Sequence, residues 1–258
     1  LPATTQLEHR DIVPSWGHQY LTWNEPAIAP LGEALPNAEI FRRLATRLGL
    51  DDPALRASDD ALIDELLDGM ERPVDRDVLR TRGWVKIDLG QGPVPHAEGA
   101  FATPSGKVEL RSAALAALGD DPLPRYEPPA EIGDAELAAR FPLCLLTPKT
   151  QLFLNTTFGN GRKQTAAQPA PYVVLHPDDA AARAIADGER VRVWNDRGAF
   201  EADARVLPDV RRGVAVAPMG FWAAAWNGPS CQATAPDRVT RIAHAPQFND
   251  NRVEVAPA

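Results

Sequence analysis

The stretch Leu154–Gly161, LNTTFGNG, sets two asparagines, two threonines and two glycines around one aromatic residue. Amides and hydroxyls both donate and accept hydrogen bonds, and glycine lets a ligand come close to the backbone. Together they suit a ligand rich in ring nitrogens and phosphate oxygens. The same residue types also make an ordinary turn. A second concentration is SCQATAPDRVT, Ser230–Thr240. There Gln232, Thr234 and Asp237 are polar, and the Asp237 carboxylate can cap the turn that follows. A third, QFNDN, places Gln247 and Asn249 just before a terminal apolar run, where loop polarity alone explains them equally well.

Other reactive side chains form no comparable constellation. His9, Trp16, His18, Tyr20 and Trp23 cluster near the start without a third metal ligand, so surface or packing roles are expected. Trp222 and Trp226 read as packing residues whose indole N–H groups need partners. The two cysteines, Cys144 and Cys231, have neither a CxxC spacing nor a histidine pair beside them. That argues against a disulfide framework or a zinc site, and both are expected as buried thiols. No residue is assigned a catalytic or metal-ligating role.

The chain has 258 residues, 44% of them hydrophobic, with a formal charge of -8 and a pI near 5.2. No basic block interrupts this acidity, so neither nucleic acid nor an anionic membrane surface is an expected partner. No apolar run approaches the roughly 18 residues of a membrane span, and the start does not read as a signal peptide; a cytoplasmic protein is expected. Because the sequence begins at Leu1 in what reads as mid-segment, a fragment lacking an upstream part is expected as well.

The elements that must position these loops divide the sequence. NAEIFRRLATRLGL, with Asn37 before the run, and SDDALIDELLDGM, with Ser58 as cap, have the apolar spacing of amphipathic helices. Glycine and proline dominate from Gly83 to Gly106, SGKVELRSAALAALG reads as a short strand leading into a helix that ends at Gly119, and a proline-rich connector follows. Beyond Phe141 the period changes. PLCLLT and YVVLH read as buried strands, and HPDDAAARAIADG reads as one short helix stopped by Gly188. In RVRVWNDRGAFEADARV, Val191 and Val193 alternate with arginines, and Phe200, Ala202, Ala204 and Val206 alternate with charged residues, around a turn at Asn195–Gly198. GVAVAP and NRVEV complete six or so strands, which favours a closed barrel. The expected organisation is α+β and mainly β: a helical and mixed segment over residues 1–130, then a barrel domain over 131–258.

TPSGKVEL (Thr103–Leu110), LNTTFGN, VVLHPDDAAARAIADGERVRVWNDRG and FNDNRVEV, in this order, resemble the C-terminal portion of molybdopterin oxidoreductases, the DMSO reductase superfamily. The resemblance implies that 131–258 is a molybdopterin-dinucleotide-binding domain with a double-psi β-barrel, and that 1–130 is the tail of the central domains of a larger enzyme. It implies molybdopterin guanine dinucleotide carrying Mo (or W) as cofactor. Thr147, Lys149, Thr150, Asn155, Thr156 and Thr157 fall in the family's first barrel loop, Gln232, Thr234 and Asp237 in a late loop where asparagine is usual at position 232, and Gln247 and Asn249 near the pterin. The metal ligand and any iron-sulfur cluster belong, in that family, to the N-terminal part of the same enzyme, which is then the implied partner, with a small-molecule substrate. This chain alone is expected to be inactive. A free-standing barrel module that binds a nucleotide-like ligand or a protein, without redox chemistry, is the alternative.

Overall fold

The computed structural model describes residues 1–88, 94, 96–123 and 125–258. Much of the glycine- and proline-rich run after Gly83, residues 89–93 and 95, lies outside the described residues, as does Pro124. The chain divides into two compact units, Leu1–Ser112 and Ala113–Ala258.

In the first unit, strands β1 (Asp11–Pro14), β2 (Tyr20–Asn24) and β3 (Trp84–Lys86) form an antiparallel sheet in that order. With it lie helices α1 (Asn37–Leu48), α2 (Asp59–Asp68) and α3 (Arg76–Arg82). Leu21 and Trp23 of β2 pack with Ile63, Leu67 and Leu79. Ser58 caps α2 as expected, its hydroxyl accepting the Ala61 N–H at 3.2 Å. Asn37 does not cap α1. It is the first helical residue, because Pro36, with φ already restricted to -55°, leads directly into the helix. The aromatic residues near the start pack: His18 lies edge-on to Tyr20 and Tyr20 edge-on to Trp84.

The second unit contains α4 (Ala113–Ala117), α5 (Ala135–Arg140), β4 (Leu143–Leu146), α6 (Arg162–Ala167), β5 (Tyr172–Leu175), α7 (Pro177–Ala181), β6 (Arg190–Trp194), β7 (Ala199–Val206), β8 (Val214–Val216), α8 (Ala223–Trp226) and β9 (Arg252–Pro257). Its strands close into a six-stranded mixed barrel in the order β4-β8-β5-β7-β6-β9. The alternation in the sequence is the pleat of this barrel. Val191 pairs with Ala202 and Val193 with Phe200, all pointing into the core, while Arg190 reaches Glu201 and Asp203 on the outside. Burying that inner face at roughly 25 cal/mol per Å² is what closes the sheet, since the exposed ion pairs outside contribute little.

Several sequence expectations are corrected. The segment Gly106–Leu110 is not a strand: the Thr103 hydroxyl donates to the Lys107 carbonyl at 2.7 Å and the Glu109 carboxylate accepts the Ser105 N–H at 3.1 Å. These local bonds replace a ladder. The helix after it ends at Ala117, short of Gly119. Helix α7 stops at Ala181, where the chain turns through Ala184 (φ 54°) to bury Ile185. Cys231 is buried but Cys144 only half so, because it alternates with the inward Leu143 and Leu145. The proline-rich run after Asp120 lies within the second unit, where Asp120 and Glu127 both pair with Arg241.

Candidate functional site

Strand register brings the polar loops to one end of the barrel. β4 and β8 run parallel, and β9 is antiparallel to β4 and β6, so the segments leaving β4, β6 and β8 and the segment entering β9 share that end. The chains leaving β4 and β8 continue side by side beyond the barrel, with the Met219 N–H donating to the Pro148 carbonyl at 2.9 Å and Lys149 bridged to Met219.

Several expected site residues meet here. Thr147 is buried, and both its N–H (3.0 Å) and its hydroxyl (3.2 Å) donate to Asn249 Oδ1. The buried Thr150 hydroxyl accepts the Phe153 N–H at 2.9 Å, which fixes the start of the next loop. Leu154 and Thr157 then exchange backbone hydrogen bonds of 3.1 and 3.0 Å around Asn155 and Thr156. Asn155 (φ 55°) and Phe158 (φ 70°) are left-handed, a region asparagine tolerates and phenylalanine rarely enters. The side chains of Asn155, Thr156 and Thr157 are exposed and make no hydrogen bond among the described residues. Lys149, Arg162 and Lys163 are exposed nearby in sequence. Gln247 and Asn249 line a cavity of about 740 Å³, walled also by Thr240, Arg241 and the segment Glu127–Ala130.

The late loop is placed differently. Gln232 and Thr234 lie in a 3-10 turn, Cys231–Thr234, with Gln232 exposed and Thr234 0% exposed. The Thr234 hydroxyl donates to the Cys231 carbonyl at 2.9 Å and accepts from Asn251 Nδ2 at 3.0 Å. Asp237 is exposed, without a side-chain partner among the described residues.

A buried polar network that the sequence reading did not single out supports this end. Glu131, 5% exposed, accepts from Arg197 at 2.6 and 3.1 Å, from Arg238 at 3.1 Å and from the Arg252 N–H at 3.1 Å. Arg252 in turn donates to the Glu131 and Ile132 carbonyls, and the Asp250 carboxylate accepts the N–H groups of both residues. Asn251 Oδ1 accepts from Asn195 and Arg197, each at 3.1 Å. The readable signal was the polar run NDNR inside an otherwise apolar strand start, whose partners lie more than a hundred residues away in sequence, as in the pair Glu131–Arg252 with |i−j| of 121.

Burial pushes the Cys231 thiol up to about 11 from 9.0. Both states are protonated below pH 9; between pH 9 and about 11 only the unfolded chain loses the proton, so stability falls over that window, by on the order of 2 kcal/mol. Urea unfolding of the wild type and of Cys231→Ala from pH 8 upward checks this: the alkaline decline is expected to be shallower in the variant, and equal slopes would refute it.

Among the described residues, no group of three or more His, Cys, Asp or Glu side chains is placed to hold a metal ion, and no helix is long and apolar enough to cross a membrane.

Residues 143–252 match the family described as Molydopterin dinucleotide binding domain. The chain is 34% identical over 260 residues to the probable oxidoreductase YoaE of Bacillus subtilis (strain 168), an alignment covering 99% of this chain and 37% of that protein. It is 32% identical over 251 residues to biotin sulfoxide reductase of Cereibacter sphaeroides, covering 86% of this chain and 32% of that one. In fold it is similar to acetylene hydratase from Pelobacter acetylenicus, with a TM-score of 0.75 at 24% identity over 100% of this chain and 38% of that structure. The chain thus spans about a third of the length of the relatives it matches. A barrel whose polar loops gather at one end and a dinucleotide-domain match over the same strands agree: residues 143–252 are similar to the molydopterin dinucleotide binding domain, within a chain that is similar over nearly its whole length to part of larger oxidoreductases.

Proposed function

We propose that this chain is the dinucleotide-holding C-terminal portion of a molybdenum or tungsten bis-pterin oxidoreductase, binding molybdopterin guanine dinucleotide and helping to close the active site. The observation that carries the proposal is the set of unpaired neutral side chains, Asn155, Thr156 and Thr157, held on a constrained loop at the end of the barrel where Lys149, Gln247 and Asn249 also lie. Such donors and acceptors suit a pterin with a pyrophosphate tail, and Lys149, with Arg162 or Lys163, supplies the charge that phosphate needs. When bound, the cofactor would supply a metal ion able to exchange two electrons with substrate.

Thr147 and Thr150 hold the loop through their own hydrogen bonds, and Thr234 holds the late turn. Gln232 and Asp237 stand exposed on that late loop; a carboxylate there accepting from both N–H groups of guanine would favour the guanine form. The two parallel pairs, β4–β8 and β5–β7, support a double-psi topology. The N-terminal part of the same enzyme is the proposed partner and the source of the metal ligand and of any iron-sulfur cluster, with a small molecule as substrate. Two free cysteines fit a reducing, cytoplasmic compartment.

Asn155→Ala combined with Thr157→Ala tests the assignment. Each lost neutral contact weakens binding by about 0.5 to 1.5 kcal/mol, so the double variant of the holoenzyme is expected to retain cofactor roughly 5- to 150-fold less tightly. Pterin and nucleotide base released by acid measure this. Asp203→Ala, on the outer face of the hairpin, is expected to leave retention unchanged. A double variant with its full cofactor complement would reduce the loop to a structural turn.

A further inference from the structure

The turn that follows β8 carries no residue assigned to the site, yet it touches the Asn155–Thr157 loop at its most constrained points. The Trp222 indole N–H donates to the Thr156 carbonyl at 2.8 Å. A Cβ placed on Gly220 would stand 2.3 Å from the Asn155 carbonyl oxygen. One placed on Gly159 would stand 2.9 Å from both the Gly220 carbonyl oxygen and Trp222 Nε1. The two turns therefore meet backbone to backbone where no side chain fits, and Phe153 meets Phe221 edge-on at 5.4 Å beside them.

This contact has a physical consequence. Asn155 and Phe158 both occupy left-handed backbone, which persists only where the surroundings over-determine it. A donor fixed on Thr156, between them, supplies part of that constraint. Trp222 is 39% exposed and lies outside the buried barrel core, so its ring adds little to the packing of the strands.

We propose that Trp222 is a positioning residue for the dinucleotide site: through its N–H it holds the Asn155–Thr157 loop in the conformation that presents the free side chains to the cofactor. The inference rests on the reading that this loop contacts the dinucleotide. Without the bond the loop populates other conformations, and the apparent affinity falls with the competent fraction.

The test replaces Trp222 in the holoenzyme with benzothienylalanine, which keeps the ring's shape and lacks the N–H. The expected result is cofactor release about 3-fold faster, in line with one lost neutral hydrogen bond on a partly exposed group, with the unfolding midpoint of the cofactor-free protein unchanged. Trp222→4-fluorotryptophan, which restores the N–H, is expected to return release to the wild-type rate. Gly159→Ala, which wedges the two turns apart without removing a polar group, is expected to speed release as well. If the benzothienyl variant releases cofactor at the wild-type rate while the Asn155/Thr157 double variant releases it faster, Trp222 only packs and the inference fails while the site reading stands. If the double variant also keeps its cofactor, the site reading has failed and takes the inference with it. A fall in the apo unfolding midpoint that accounts for the faster release would likewise overturn the positioning role.

Discussion

Glu131→Ala is expected to destabilise the second unit by about 3 kcal/mol, although Glu131 lies outside every loop assigned to the cofactor. Its carboxylate gathers Arg197, Arg238 and the Arg252 N–H, so removing it leaves a buried N–H without an acceptor and the Arg197 guanidinium without its counter-ion, while Arg238 keeps only Asp250, at 3.8 Å. The arginines are 34% and 43% exposed and can turn toward water, which places the effect at the lower end of what breaking a buried pair costs. Glu131→Gln keeps one acceptor oxygen and is expected to lose less. Urea denaturation of this chain, followed by circular dichroism, measures both variants. A shift within about 0.5 kcal/mol for Glu131→Ala, the scatter of ordinary surface substitutions, would show that the network does not hold the barrel end.

Asn251→Ala is the second large effect, at about 2 to 4 kcal/mol. Asn251 is 0% exposed and its amide serves Asn195, Arg197 and Thr234 at 3.0 to 3.1 Å. Alanine leaves the Asn195 amide with its two carbonyl acceptors, Thr234 and Arg252, but leaves a cavity, and it removes the donor to the Thr234 hydroxyl, which keeps only its own bond to the Cys231 carbonyl. Because Arg197 bonds both Asn251 and Glu131, the two variants share a partner. Their combined loss is expected to depart from the sum of the single losses by at least about 0.5 kcal/mol in the same unfolding measurement, and strict additivity would show two independent contacts.

The barrel was legible wherever one face of a segment is buried. In Val191–Val206 a period of two left no alternative to a hairpin, and Asn195–Gly198 marked its turn. Strands β1, β2 and β3 were not legible, since four, five and three residues carry too little alternation to stand out from a loop. The α3 helix had its signals, with Asp75 accepting the Val78 N–H and a fully buried Leu79, but seven residues and one core side chain make a weak stripe. At the site, LNTTFGN was conspicuous because clustered neutral polar residues interrupt apolar strands. The residues that contact it, Trp222 and Gly220, belong to a different loop: Trp222 showed only an indole N–H in need of a partner, and nothing local pointed either residue toward this turn.

What the sequence determined alone is what depends on near neighbours along the chain: the alternation that builds the inner face, the caps, the acidity, and the chemical character of the loops. What the tertiary structure decided is which of those polar groups are spent internally and which remain free. Thr234 and Asn155 look alike as candidates in one dimension. Closing the barrel places Thr234 beneath Asn195 and Asn251, where burial obliges each polar atom to find a protein partner, and leaves Asn155 on an exposed turn whose side chain finds none among the described residues. That division is set by strand register between segments far apart in the chain, because hydrogen-bond satisfaction is a property of a location in space, and only the closed barrel assigns the location.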